Sequence, residues 1–283
     1  MKTDKKKRRI FWQATGMTCF LVAAILAGMA GRTWLAYRDS ETGLENMYRD
    51  MEQIVLEAES SDAADSAFFG TDEKTETQKE NEAQTGTDVE AAEIPIDISA
   101  LRSLNSDVAG WIQIPGTVVD YPVMHTPDDS NYYFHRDFYK KYSVYGMIYL
   151  DGNCRLDGSS PNLVIYGHHM RNGSMFASIE KYASKAYWQA HPMISLVLLE
   201  ETSEYEVVAT VRLSADMADA DFMQMLAAGT EEDYGRLMQF AREHALYDTG
   251  ITAAWPESLI TLTTCEYTQK NGRFLVIARK VGE

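Results

Sequence analysis

The chain has 283 residues, 45% of them hydrophobic, and a formal net charge of −16. That acidic balance argues against nucleic acid as a partner. Three cysteines with no Cys-x-x-Cys spacing leave a zinc ribbon or a thioredoxin-type site without support.

The charge is unevenly spread, and the spread divides the chain. Residues 1–9, "MKTDKKKRR", carry six basic groups against one aspartate, and residues 10–31 carry no charge. A helix over 10–31 is roughly 33 Å long at about 1.5 Å per residue, enough to cross a bilayer core of about 30 Å. The basic flank favours the cytoplasmic side, so the reading is a single-pass signal anchor with everything after Arg32 outside the cell membrane. The small residues "AGMA" at 27–30 offer a cleavage site, but the apolar run exceeds a signal-peptide core of about 7 to 15 residues. Residues 32–56 read as a juxtamembrane helix, with Leu44, Met47, Met51 and Ile54 at helical spacing. Residues 57–93 hold 12 acids and 2 lysines and few apolar groups, which predicts a disordered, self-repelling stalk.

Residues 94–283 are long enough for one well-buried domain. The stretch "DISALRSLNSDVAGWI" opens as a capped amphipathic helix, after which strand signals dominate. "WIQIPGTVVDYPVM", "GMIYL" (146–150), "NLVIYG" (162–167), "ISLVLLE", "EYEVVATVRL", "SLITLTTC" and "RFLVIARKV" are short apolar or alternating runs bounded by turn residues. They predict a mainly β fold, an all-β barrel or sandwich of seven or eight strands. Between Ser214 and Gly250, Tyr234, Leu237, Met238, Ala241 and Ala245 recur at steps of three and four, which predicts a helix inserted before the last two strands.

The last two runs carry candidate chemistry. Asn271-Gly272 suits a hairpin turn, and antiparallel pairing would bring Cys265, leaving one strand, near Arg273, entering the next. A guanidinium there has a fixed charge and several donors for a thiolate, a carbonyl or a developing oxyanion. A thiol of pKa near 8.5 needs a helper, usually histidine. His168 and His169 follow a buried-type strand and a glycine, where a scaffold presents side chains at a rim, and spacing does not choose between them. His125, His135, His191 and His244 read as ordinary surface or packing residues. The bland alternative for Cys265 is a disulfide with Cys154, as an external protein permits.

"TLTTC" with Arg273 beyond it, together with "VIYGHHM", resembles the sortases, the cysteine transpeptidases of Gram-positive cell surfaces. The likeness spans residues 97–283 and is closest to class B, through "GWIQIPGTVVDYPVM", "NYYFHRDFYKKYSVYGMIYLD", "NLVIYGHHMRNGSMF" and the terminal hairpin, in that order. The resemblance implies a sortase-type β-barrel and a catalytic set of His168, Cys265 and Arg273. It selects His168 because that histidine directly follows the glycine. Class B members often have serine where this chain has Thr263, and Thr263, Asn131 and Tyr166 are the expected substrate contacts.

The activity implied is acyl transfer without cofactor or metal. Cys265 would cleave a C-terminal sorting signal of a surface protein and pass the acyl-threonine to an amine of a peptidoglycan precursor (lipid II). Two related readings compete. A membrane-tethered cysteine hydrolase would give the acyl group to water. A pilin-polymerising sortase commonly adds a lid segment and a C-terminal membrane helix, and this sequence ends at Glu283 just after its last strand run.

Overall fold

The computed structural model describes residues 22–50, 53, 97–199, 201–214, 220–266 and 272–282. The basic tail, most of the apolar run, the acidic segment 57–93 and the hairpin loop 267–271 lie outside the described residues. Among the described residues no helix is long and apolar enough to cross a membrane. The first element is a helix, α1, over residues 22–50. Its C-terminal half packs on the domain, with Met47 only 1% exposed and Leu44 against the same core. Met51 and Ile54, the other half of the expected apolar stripe, lie outside the described residues.

Helix α2, Ile98–Leu104, starts at the cap foreseen in the sequence: Asp97 Oδ1 accepts from Ala100 N at 2.9 Å. Then come β1 (Val108–Gln113), β2 (Asp120–Met124), a 3-10 turn at Tyr132–His135, β3 (Ile148–Leu150) and β4 (Asn162–Tyr166). A second 3-10 segment at Phe176–Ala183 and α3 (Lys185–Ala190) lead into β5 (Met193–Leu198) and β6 (Glu201–Leu213). Helices α4 (Ala220–Ala227) and α5 (Glu231–His244) precede β7 (Leu259–Glu266) and β8 (Gly272–Lys280). Among the described residues the insert thus holds two helices where the periodicity predicted one. The break is local. Ala228 takes a positive φ of 50°, and Thr230 restarts the helix by accepting from Asp233 N at 3.1 Å.

The eight strands close a barrel in the order β1-β2-β3-β4-β7-β8-β6-β5. The β2–β3 and β4–β7 pairs are parallel and the rest antiparallel. Closure removes the sheet edges and wraps a core that includes Ile112, Val123, Ile148, Ile165, Leu262 and Val276, all fully buried. The parallel β4–β7 pair sets the geometry that matters for function. Its register aligns Asn162 with Leu259 and Tyr166 with Thr263, so both strands end at the same rim. The pair is pinned at its other end, where Asn162 Nδ2 donates to Thr261 Oγ1 at 2.9 Å and to Leu226 O at 2.6 Å. A slip of this register would strand those buried polar groups and turn apolar side chains outward.

Candidate active site

The rim collects the sequence-derived candidates from three strands. His168 stands two residues beyond Tyr166 on the β4 side, and Cys265 stands two residues beyond Thr263 on β7. Arg273 is the direct cross-strand partner of Cys265 in the β7–β8 ladder. Two bonds hold the β4 exit against β7: Gly167 N donates to Thr263 O at 3.1 Å, and Thr264 Oγ1 donates to Gly167 O at 2.8 Å. Gly167 has to be small. A Cβ there would lie 2.5 Å from Ile148 Cδ1 and 2.6 Å from Phe176 Cγ.

The His168 ring is half-buried and fixed from the 3-10 turn. Its Nε2 donates to Phe134 O at 2.6 Å, which leaves Nδ1 as the basic nitrogen. Phe134 lies over the ring at 4.4 Å, and His135 stacks on it at 5.5 Å with planes 19° apart. Burial lowers the His168 pKa below its ordinary value; the Phe134 carbonyl opposes this and the neighbouring His135 adds to it. The turn reaches that far in because of Gly146, at φ +58°, where a Cβ would sit 2.5 Å from Phe134 O and 2.8 Å from Tyr133 O.

His169 faces another element. Its Nε2 lies 2.8 Å from Glu180 Oε2 on the second 3-10 segment, and Glu180 Oε1 is 3.7 Å from Arg212 Nη2 on β6. The two adjacent imidazoles therefore serve different surroundings. The Arg273 guanidinium is half-buried and its Nη1 donates to Gly272 O at 3.2 Å.

The expected substrate contacts are placed less uniformly. Thr263 is buried, and its Oγ1 has no hydrogen-bond partner among the described residues. Asn131 is exposed just before the 3-10 turn, where its carbonyl accepts from Phe134 N at 3.0 Å. Tyr166 turns its hydroxyl to Asp151 Oδ2 at 3.3 Å and packs on Tyr149 at 5.4 Å. Burial raises its phenol pKa.

Two further findings bear on the sequence reading. His135, read as an ordinary residue, is a neighbour of His168. The only signal for it was its place in the "NYYFHRDF" motif. Cys154 is a free, buried thiol whose Sγ accepts from Val164 N at 3.4 Å, and burial pushes its pKa up to about 11. The disulfide alternative for Cys265 is thereby set aside. Among the described residues no group of three or more His, Cys, Asp or Glu is placed to hold a metal ion.

A family model described as "Sortase domain" matches residues 112–281. Sortase B of Listeria monocytogenes is 28% identical over 194 residues, covering 67% of this chain and 76% of the relative. Sortase B of Staphylococcus aureus is 23% identical over 184 residues, covering 64% of this chain and 72% of the relative. Among solved structures, Clostridium perfringens sortase B superposes with a TM-score of 0.59 at 28% identity, covering 65% of this chain and 99% of that one. A Staphylococcus aureus sortase B–substrate complex shares the fold at TM-score 0.59 and 22% identity, covering 65% and 84%. With the family model spanning most of a barrel whose strand ends bring a cysteine, a histidine and an arginine to one rim, the chain belongs to the sortase family and is a sortase B-like cysteine transpeptidase.

Proposed function

We propose that His168, Cys265 and Arg273 carry out the transfer, and that the enzyme works on the outer face of the cell membrane with its N-terminal helix as anchor. The Cys265 thiolate adds to the threonyl carbonyl of a sorting signal, and the peptide C–N bond breaks. The leaving amine takes its proton from His168. In the second half, an amine of a peptidoglycan precursor (lipid II) adds to the thioester and gives its proton to His168. The Cys265 sulfur then leaves, and a new amide joins the surface protein to the precursor.

The observation that carries this reading is the shared register of β4, β7 and β8, which brings the three residues to one rim. The environment of His168 suits both half-reactions. A lowered pKa makes the imidazolium a stronger acid toward the leaving amine and keeps the neutral base abundant near pH 7 for the incoming one. Arg273 is suited to hold the substrate or the developing oxyanion, because its planar fork offers donors without losing charge.

The test is product analysis on the purified protein with a sorting-signal peptide, with and without an amine acceptor. The transfer reading expects a peptide–amine adduct that replaces the hydrolysed product as acceptor is added. Hydrolysed product alone at every acceptor concentration would make the protein a cysteine hydrolase.

A further inference from the structure

Helix α1 runs unbroken over residues 22–50, about 43 Å at 1.5 Å per residue, and its two halves differ. Val22, Ile25, Leu26, Met29 and Trp34 are 56–61% exposed and project clear of the domain. From Tyr37 onward one face of the helix is seated on it. Tyr37 packs edge-on against Tyr145 at 6.2 Å. Ser40 is buried, and its Oγ accepts from Val144 N at 3.0 Å. Met47 is sealed in one cluster with Ile98, Leu101, Trp111 and Tyr149. Tyr48 donates to Asp120 O at 2.9 Å, and Tyr139 donates to Asp50.

The helix is seated on this interface as far as Asp50, and Ile98 enters the cluster that already holds Met47. The helix and the start of the barrel domain therefore share one patch, and with the helix seated there the length of the intervening sequence does not set the distance between membrane and domain. The seated face also adjoins the active-site rim. Tyr145, which meets Tyr37, accepts from Asn172 Nδ2 at 2.9 Å. Tyr121, which meets Tyr48 at 6.4 Å, accepts from Met175 N at 2.9 Å. Asn172 and Met175 belong to the loop that follows His168 and His169.

We infer that α1 is a docked strut that holds the catalytic domain on the membrane by non-covalent contact, rim close to the bilayer, so that the covalent path through the acidic segment is not what keeps it there. The inference rests on the membrane-anchor reading proposed above. Tyr37 lies six residues beyond Gly31, the end of the apolar run, so the Tyr145–Asn172 edge stands about 9 Å along the helix from it. A flexible tether of the acidic segment's length would give a root-mean-square reach of roughly 30–36 Å. The strut offers the rim to an amine acceptor carried on a membrane lipid, and its seat also braces the loop beyond His168.

The test is a protease site introduced at Gly70 of the full-length protein in membrane vesicles, cut to completion and followed by sedimentation. Uncut protein in the pellet establishes the anchor separately, and its absence there would overturn both the anchor and the strut. After cutting, the catalytic part is expected to stay in the pellet. In a Leu44→Asp, Met47→Asp variant the same cut is expected to release it to the supernatant, still able to cleave peptide. Release of the catalytic part from the otherwise unaltered protein on cutting, or its retention by the double variant, would overturn the strut.

Discussion

Gly167→Ala isolates the contribution of rim geometry from that of the reacting groups. The added Cβ would lie 2.5 Å from Ile148 Cδ1 and 2.6 and 2.7 Å from Phe176 Cγ and Cδ2, where carbon pairs prefer about 3.5–4.0 Å. Both neighbours are fully buried, so about 1 Å of room has to come from moving backbone or ring. Overpacking of this kind costs about 1–3 kcal/mol, or roughly 2–12 °C in Tm for a domain of this size. The displaced segment is the one tied to β7 through Thr263 O and Thr264 Oγ1, and it leads straight into His168. A shift of about 1 Å between reacting groups can cost on the order of 100-fold in rate. The assay is kcat/KM for a fluorogenic sorting peptide beside a thermal melt. Gly235→Ala serves as the control, because its Cβ in α5 would meet nothing within 4 Å and should be neutral or stabilising by about 0.5–1 kcal/mol. Wild-type kcat/KM and Tm in Gly167→Ala would refute the packing argument.

Other outcomes follow from the same geometry. In a peptide-cleavage assay on folded variants, His169→Ala should be the most active, Arg273→Lys intermediate, and Arg273→Ala and His168→Ala least. Expected losses are about 10²–10³-fold for Arg273→Ala as a lost oxyanion donor and about 10²–10⁴-fold for His168→Ala. Burial holds both His168 and His125 below their ordinary pKa of 6.5. The unfolded chain therefore takes up these protons first as pH falls. Stability should be full above about pH 6.5 and decline below it until the folded-state pKa values are passed, as read by melts across pH. His135→Phe keeps a ring against His168 but removes the second imidazole, which lowers the His168 pKa, so the His168 limb of the pH–rate profile should move to higher pH. Cys154→Ser should retain most activity, and the Cys154 thiol should label slowly in the native protein and rapidly in denaturant.

The barrel was legible because its strands are short apolar runs cut by turn residues, but the turn expected at Asn271-Gly272 is displaced, since Gly272 already pairs with Glu266 as the first residue of β8. Cap chemistry gave α2 from Asp97, and the stripe Tyr234, Leu237 and Ala241 gave the buried face of α5. The split of the insert was not legible, since it turns on the backbone of Ala228, a residue with no special preference for positive φ. His135 was missed because its stack on His168 arises only when the 3-10 turn folds across the β4 exit. Glu180, the partner of His169, and Arg212, which pairs with Glu180, were missed for the same reason, being contributed from other segments. Helical spacing marked Leu44 and Met47 as one face, but no local pattern says that this face seats on the barrel.

Intact-protein mass spectrometry during turnover of a sorting-signal peptide tests the central claim most directly. The account predicts a transient mass increase equal to the acyl fragment, mapped by digestion to Cys265 and discharged by an amine acceptor. It also predicts that the adduct and cleavage both vanish in Cys265→Ala. Cleavage that persists in Cys265→Ala, or an adduct mapped to Cys154 instead, would contradict it.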